Sequence, residues 1–234
     1  MRERATAERL KARPGRLPVN KLAATVGMGT MPRMLGIAAI LLAASTGPAT
    51  HTPATLQTAT LGGGCFWCLE AFYERIDGIE DVTSGYSGGK VPNPSYEQVS
   101  THTTGHAEVV QLRFDPAKIS YREILQIFFT MHDPTTLNRQ GADEGTQYRS
   151  IILYRDAAQK AEAERLIREL TAEKVYSAPI VTQVVPFEAF YKAEISHQDY
   201  YARNPDAGYC RAVISPKLAK LRHSFAERLK PEYR

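Results

Sequence analysis

Three glycines in a row followed by a cysteine, Gly62-Gly63-Gly64-Cys65, mark the first place in this chain where chemistry is written into the sequence. The apolar positions Leu69, Phe72, Tyr73 and Ile76 follow at i, i+3, i+4 and i+7, one face of a helix. Cys65 therefore falls at the first turn of a helix, where the partial positive charge favours a thiolate, the nucleophilic form. The glycines leave its approach open. The alternative is an ordinary buried cysteine that packs as a small hydrophobe. Cys68 completes a C-x-x-C, a moderate signal for redox chemistry and a weak one for metal. Zinc needs four ligands, and no second pair stands at suitable spacing. Attached haem would need His after Cys68, and residue 69 is Leu. A third cysteine, Cys210, ends Asn204-Pro205-Asp206-Ala207-Gly208-Tyr209, which reads as a flexible segment able to swing a thiol toward an oxidised partner. The alternative is a spare thiol.

The matching acid is Glu108. His106 to Phe114 alternates, with Glu108, Val110, Leu112 and Phe114 on one face of a strand. A carboxyl on that apolar face loses hydration, its pKa rises, and it can donate a proton near neutral pH. A satisfied structural Glu is the other reading. Asp143, Tyr148 and Arg149 lie in a long polar loop over 132–149, and spacing alone assigns them no chemistry.

The elements that must hold these groups follow from pattern. Thr58 to Leu61 is a short strand leading into the glycines, and Gly78 is a stop for the helix after Cys65. Ile79 to Tyr86 reads as a strand, and Val91 to Ser95 as turn chemistry. Ser120-Tyr121-Arg122-Glu123 is a capping box before the apolar run Ile124 to Phe129. Ser150 to Tyr154 and Pro179 to Val185 are strands. Asp156 to Lys174 is a helix with charge pairs such as Glu164 and Arg168. Ser215-Pro216 opens a last amphipathic helix with Leu218, Leu221, Phe225 and Leu229. Strands and helices mix without strict alternation, which predicts an α+β fold, a two-layer α/β sandwich.

Composition sets the frame. The chain has 234 residues, 43% hydrophobic and 23% charged, typical of a globular protein. Three cysteines are too few for a disulfide-stapled scaffold. The net charge of +4 is unevenly spread. Residues 1–50 carry 8 Lys+Arg against 2 Asp+Glu, leaving the remainder slightly acidic, which argues against a nucleic-acid-binding protein. Met34 to Ala44 is an 11-residue apolar run behind Arg33 with small residues after it. It is about half of what a membrane span needs and resembles a secretory signal. The organisation expected is a leader with linker over 1–55 and one catalytic domain over 56–234. Localisation is then periplasmic or exported if the signal is used, and cytoplasmic otherwise.

Taken together, the segments resemble the A-type methionine sulfoxide reductases from about Thr58 to Leu221. Gly64-Cys65-Phe66-Trp67 looks like that family's nucleophile motif, and Gly105-His106-Ala107-Glu108 like the motif carrying its acid. His132-Asp133-Pro134 and Gln140 to Ser150 look like its active-site loop, and His197-Gln198-Asp199-Tyr200 also matches. The resemblance implies a ferredoxin-like α+β sandwich that needs no metal or organic cofactor. It implies attack by Cys65 on the sulfur of a methionine-(S)-sulfoxide, with Glu108 protonating the oxygen. Phe66 and Trp67 would form the pocket for the substrate methyl group, with Tyr200 in support. Tyr96 and Tyr148 would hydrogen-bond near the oxygen, and Asp143 would hold the polar network. The resulting sulfenic acid would condense with a second thiol, and thioredoxin or another dithiol would clear the disulfide. Cys210 sits where a resolving cysteine is found in similar sequences and is preferred, with Cys68 as alternative, since many relatives have Gly there. His102 also stands where relatives often have Gly. The expected partners are oxidised proteins and peptides and a thioredoxin-like reductant, for a monomeric enzyme. Competing readings are a general C-x-x-C thiol–disulfide oxidoreductase and a peptide-binding module without catalysis.

Overall fold

The computed structural model describes residues 55–234. The leader expected over 1–55, with its signal-like run, lies outside the described residues but for its last position.

A six-stranded sheet carries the fold. Its strands are β1 (Gln57–Gly62), β2 (Ile79–Ser87), β3 (Ala107–Phe114), β6 (Ile151–Tyr154), β7 (Gln183–Pro186) and β8 (Phe190–Lys192). A separate small hairpin joins β4 (Arg139–Gln140) to β5 (Asp143–Glu144). The order across the sheet is β7-β6-β1-β3-β2-β8, antiparallel at every junction except β6 with β7. The crossover from β1 through α1 (Phe66–Tyr73) leaves a gap before β2, and β3 fills it. The central strand β3 thereby pairs on both sides, with Leu61 opposite Val110 and Tyr86 opposite Glu108.

The alternation read in β3 decides the two sides of the sheet. Ala59, Leu61, Val110, Leu112, Phe114 and Ile152 pack in one large core with residues of α1, α3 (Tyr121–Met131), α4 (Ala157–Ala172) and α6 (Ser215–Phe225). Ala107, Val109, Ile151 and Leu153 form a smaller cluster, against which Val185, Phe187 and Phe190 pack. The capping box at Ser120 forms as expected, with the Ser120 side chain accepting from the Glu123 amide and Glu123 bonding back. Asp156 caps α4 with its side chain alone, accepting from the Gln159 N–H.

Other elements depart from expectation. Helix α1 ends at Tyr73, and Gly78 instead turns the chain into β2 with φ +86°. The turn at 91–95 runs into a short helix, α2 (Tyr96–Ser100), started by a second capping box of Ser95 and Gln98. The strand expected from Pro179 begins only at Gln183. On α4, Glu164 pairs with Lys160 rather than Arg168. Arg122 of α3 meanwhile draws Glu162 and Glu169 of α4 to itself. Strand β8 and helix α5 (Tyr200–Arg203) are too short to leave a periodic signature.

Candidate active site

The site is built around the turn between β1 and α1. Gly64 holds φ +98°, and a side chain there would strike Gln140. Gln140 lies over this glycine while its amide group bonds both the Asp133 N–H and the Asp133 carbonyl, each at 3.1 Å. Beneath the turn, the bare Cα of Gly63 lets the His132 ring approach. His132 donates from Nδ1 to the Phe128 carbonyl at 2.6 Å, which leaves Nε2 to accept from Ser150 Oγ at 2.8 Å. Burial pushes His132 down to about 4, so this support stays neutral. The His-Asp-Pro segment thus buttresses the glycine run that presents the cysteine.

Cys65 stands at the N-cap of α1 with no side-chain cap of its own, 7% exposed. The sequence reading expected a thiolate here. The structure differs because burial dominates: desolvation, with the neighbouring Cys68 and Glu108, pushes the Cys65 thiol well up. The neighbouring Cys68 shifts the opposite way. Cys68 is drawn down to about 6, first by the Cys65 thiol as hydrogen-bond donor and then by the Lys217 ammonium. Two residues lie between the two cysteines, and the Cys68 N–H bonds the Cys65 carbonyl at 3.1 Å. All three cysteines are free.

Glu108 meets the expectation drawn from its strand. It is 2% exposed at the start of β3, and desolvation raises it to about 8 despite a hydrogen bond from the Phe66 N–H. That bond, 3.0 Å from the amide to Oε2, fixes the acid beside the residue that follows the nucleophile. Tyr96 and Tyr148 gather near it. Both are raised first by burial and then by the Glu108 charge. The Tyr96 N–H and the Tyr86 hydroxyl each donate to Glu194, at 2.8 and 2.9 Å.

The apolar side of the site is an aromatic box. Trp67 stacks on Tyr200 with ring centres 3.6 Å apart and planes 5° from parallel. Its indole N–H donates to His197 Nδ1 at 3.2 Å, and the edge of Tyr209 closes another side at 5.8 Å. His197 also lies against Phe66 and, at 4.5 Å, against Tyr96. Asp143 accepts from the Tyr209 hydroxyl at 2.7 Å, so the hairpin loop is tied to the segment before Cys210. Tyr209 also lies 3.8 Å from Cys68 Sγ. Sequence reasoning missed Tyr209, Glu194 and the aromatic placement of His197. Only adjacency to Cys210 hinted at the first.

Two further departures concern Cys210 and His102. The sequence predicts a flexible segment ending in Cys210. Instead Cys210 is fully buried in the π-helical turn Cys210–Ile214 that opens α6, because this stretch packs into the main core. Burial and the charge of Cys68 raise its thiol. His102 adopts φ +64°, a backbone that suits glycine, and its Nδ1 lies 2.7 Å from Gln147 Oε1. The structure therefore brings Cys65, Cys68, Phe66, Trp67, Tyr96, Glu108, Asp143, Tyr148 and Tyr200 to one place, with Cys210 beneath it. No group of three His, Cys, Asp or Glu side chains suited to a metal occurs among the described residues.

The chain matches known proteins in sequence and in fold. The family model described as peptide methionine sulfoxide reductase matches residues 57–229. The peptide methionine sulfoxide reductase MsrA of Saccharolobus solfataricus is 58% identical over 175 residues, 75% of this chain and 98% of that protein. The MsrA of Polynucleobacter asymbioticus is 52% identical, covering 76% of this chain and 94% of its own. Among solved structures, reduced Mxr1 from Saccharomyces cerevisiae matches with a TM-score of 0.62 and 36% identity, over 68% of this chain and 91% of that one. Methionine sulfoxide reductase A of Corynebacterium diphtheriae gives a TM-score of 0.59 at 33% identity, covering 69% of this chain and 80% of its own. With the family model matched over residues 57–229 and relatives of 52–58% identity covered over nearly their whole length, one conclusion follows: the chain belongs to the peptide methionine sulfoxide reductase family.

Proposed function

We propose that the chain reduces methionine-(S)-sulfoxide in oxidised proteins and peptides, with each step carried by the residues just described. The observation that carries this reading is the bond from the Phe66 amide to Glu108, which places a neutral acid next to the cysteine. The substrate methyl group lies in the box of Phe66, Trp67 and Tyr200, and the sulfoxide oxygen points toward Glu108, Tyr96 and Tyr148. Cys68 takes the Cys65 proton, and the Cys65 thiolate attacks the sulfur as Glu108 protonates the oxygen. The hydroxyl passes to the Cys65 sulfur, releasing methionine and leaving a sulfenic acid and a Glu108 carboxylate. Asp143, through Tyr209, keeps the loop in place.

Resolution follows. Cys68 attacks the sulfenic sulfur, the S–O bond breaks, and the hydroxide leaves with the Cys68 proton as water. A dithiol of thioredoxin kind then reduces the Cys65–Cys68 disulfide by exchange, with Cys210 as a second acceptor beneath Cys68. The burial of Cys210 and the helical nearness of Cys68 to Cys65 support placing Cys68 first. The sheet order β6-β1-β3-β2 with crossovers through α1 and α3 supports a ferredoxin-like two-layer sandwich as the core of the catalytic domain over 56–234, which we take to act as a monomer. Export is part of the reading, supported by the run Met34–Ala44 behind Arg33, and N-terminal sequencing of the mature protein tests it.

The central experiment is a single turnover on the S and R epimers of a blocked methionine sulfoxide, with thiols counted before and after. Methionine from the S epimer alone, with loss of two thiols, is expected. Insulin reduction without turnover of either epimer would instead assign plain C-x-x-C exchange. With thioredoxin over many turnovers, Cys68→Ser is expected to lose most activity and Cys210→Ser to keep most of it; the reverse pattern returns the resolving role to Cys210.

A further inference from the structure

Helix α1 carries a second acid that the chemistry above does not use. Glu70 is 1% exposed, and its carboxylate accepts from Ser84 Oγ at 3.0 Å and from the Tyr200 N–H at 3.3 Å. The turn that begins α5 needs such a partner. It opens at Asp199 with φ +50°, a strained backbone for a non-glycine residue, and no side-chain cap is made there. Glu70 supplies from α1 the acceptor that the α5 sequence lacks. Gln198 locks the preceding residue, since its amide accepts from the Ser84 N–H and donates to the Ser84 and Ala193 carbonyls.

Trp67 and Glu70 are three apart on one helix and so share a face. That face meets Tyr200 twice, once by the indole on the phenol ring and once by the carboxylate on the amide. We propose that Glu70 is a positioning residue for the substrate pocket: it anchors Tyr200 by its backbone and so keeps the phenol ring parallel against Trp67. This rests on Trp67 and Tyr200 forming the pocket for the sulfoxide methyl group.

Trp67 is the chain's one tryptophan, so its fluorescence reads the stack directly. Glu70→Ala is expected to shift and brighten that emission and to raise KM about fivefold. Its single-turnover rate at saturation should stay within about twofold of the parent. Glu70→Gln keeps an acceptor for the amide and should restore both readings. Ser84→Ala removes the neighbouring bond only and should leave KM near the parent value. Unchanged emission in Glu70→Ala overturns the proposal, as does a fall in rate at unchanged KM or an equal KM effect from Ser84→Ala. If Glu70→Ala does not fold, Glu70→Asp draws the carboxylate back by one methylene and must move emission and KM the same way. Tyr200→Ala separates the two claims. If it leaves KM unchanged, the pocket reading fails; if it raises KM while Glu70→Ala does not, only the positioning role fails.

Discussion

Glu108 is an acid kept neutral by its burial, and that has opposite consequences for activity and for stability. Its acid form is present below about 8, so the single-turnover rate should fall as pH rises through that value. Stability carries its own sign. The folded state holds a proton that the unfolded chain releases above its ordinary value of 4.5. Stability therefore declines as pH rises from there to about 8, and the full desolvation cost stands above it. Glu108→Gln removes that cost. The variant should lose about a hundredfold or more in rate, yet melt higher than the parent at pH 9 and close to it near pH 5. Calorimetry at the two pH values checks this. Glu108 was legible in the sequence because strand alternation alone set a carboxyl on an apolar face. The protonation of Cys65 was not, because it depends on burial in the folded chain and on the approach of Cys68 and Glu108.

Among the elements, the nucleophile turn and the helix caps test different things. Gly64→Ala places a side chain at φ +98° and against Gln140. It should destabilise by about 1–3 kcal/mol and, by displacing the loop that carries Asp143, lower the rate more than the melting point implies. Stopped-flow turnover beside denaturant unfolding separates the two effects. Ser120→Ala removes a cap on α3 far from the thiols and should cost about 1 kcal/mol with turnover unchanged. Both capping boxes are visible as Ser-x-x-Glu or Ser-x-x-Gln in the chain, though only that at Ser120 stands before an apolar run long enough to draw notice. β8, α5 and the β4–β5 hairpin escape such reading because each exists through tertiary partners. Ser84, Glu70 and Gln140 hold them, and those contacts have no local period.

For the whole molecule, closure depends on the return of the C-terminal segment to the start. Leu229 is fully buried and bridges to Ile76, while the Lys230 N–H bonds the Arg75 carbonyl at 2.9 Å. Leu229→Ala should cost about 2–5 kcal/mol, read as a lower denaturation midpoint, with activity near the parent value in the absence of denaturant. The order of the strands was legible only as a mixture of types; their pairing is a property of the closed chain.

The two borders of the sheet have a consequence for the company this protein keeps. On the proposed reading its clients are oxidised polypeptides, and an open strand would invite their extended backbone to anneal. One border, β7, ends on Pro186, which has no amide hydrogen to offer; the other, β8, is three residues long and ends on the exposed Lys192. On that reading, an enzyme so edged holds a methionine side chain in its aromatic box and still lets go of the chain that carries it.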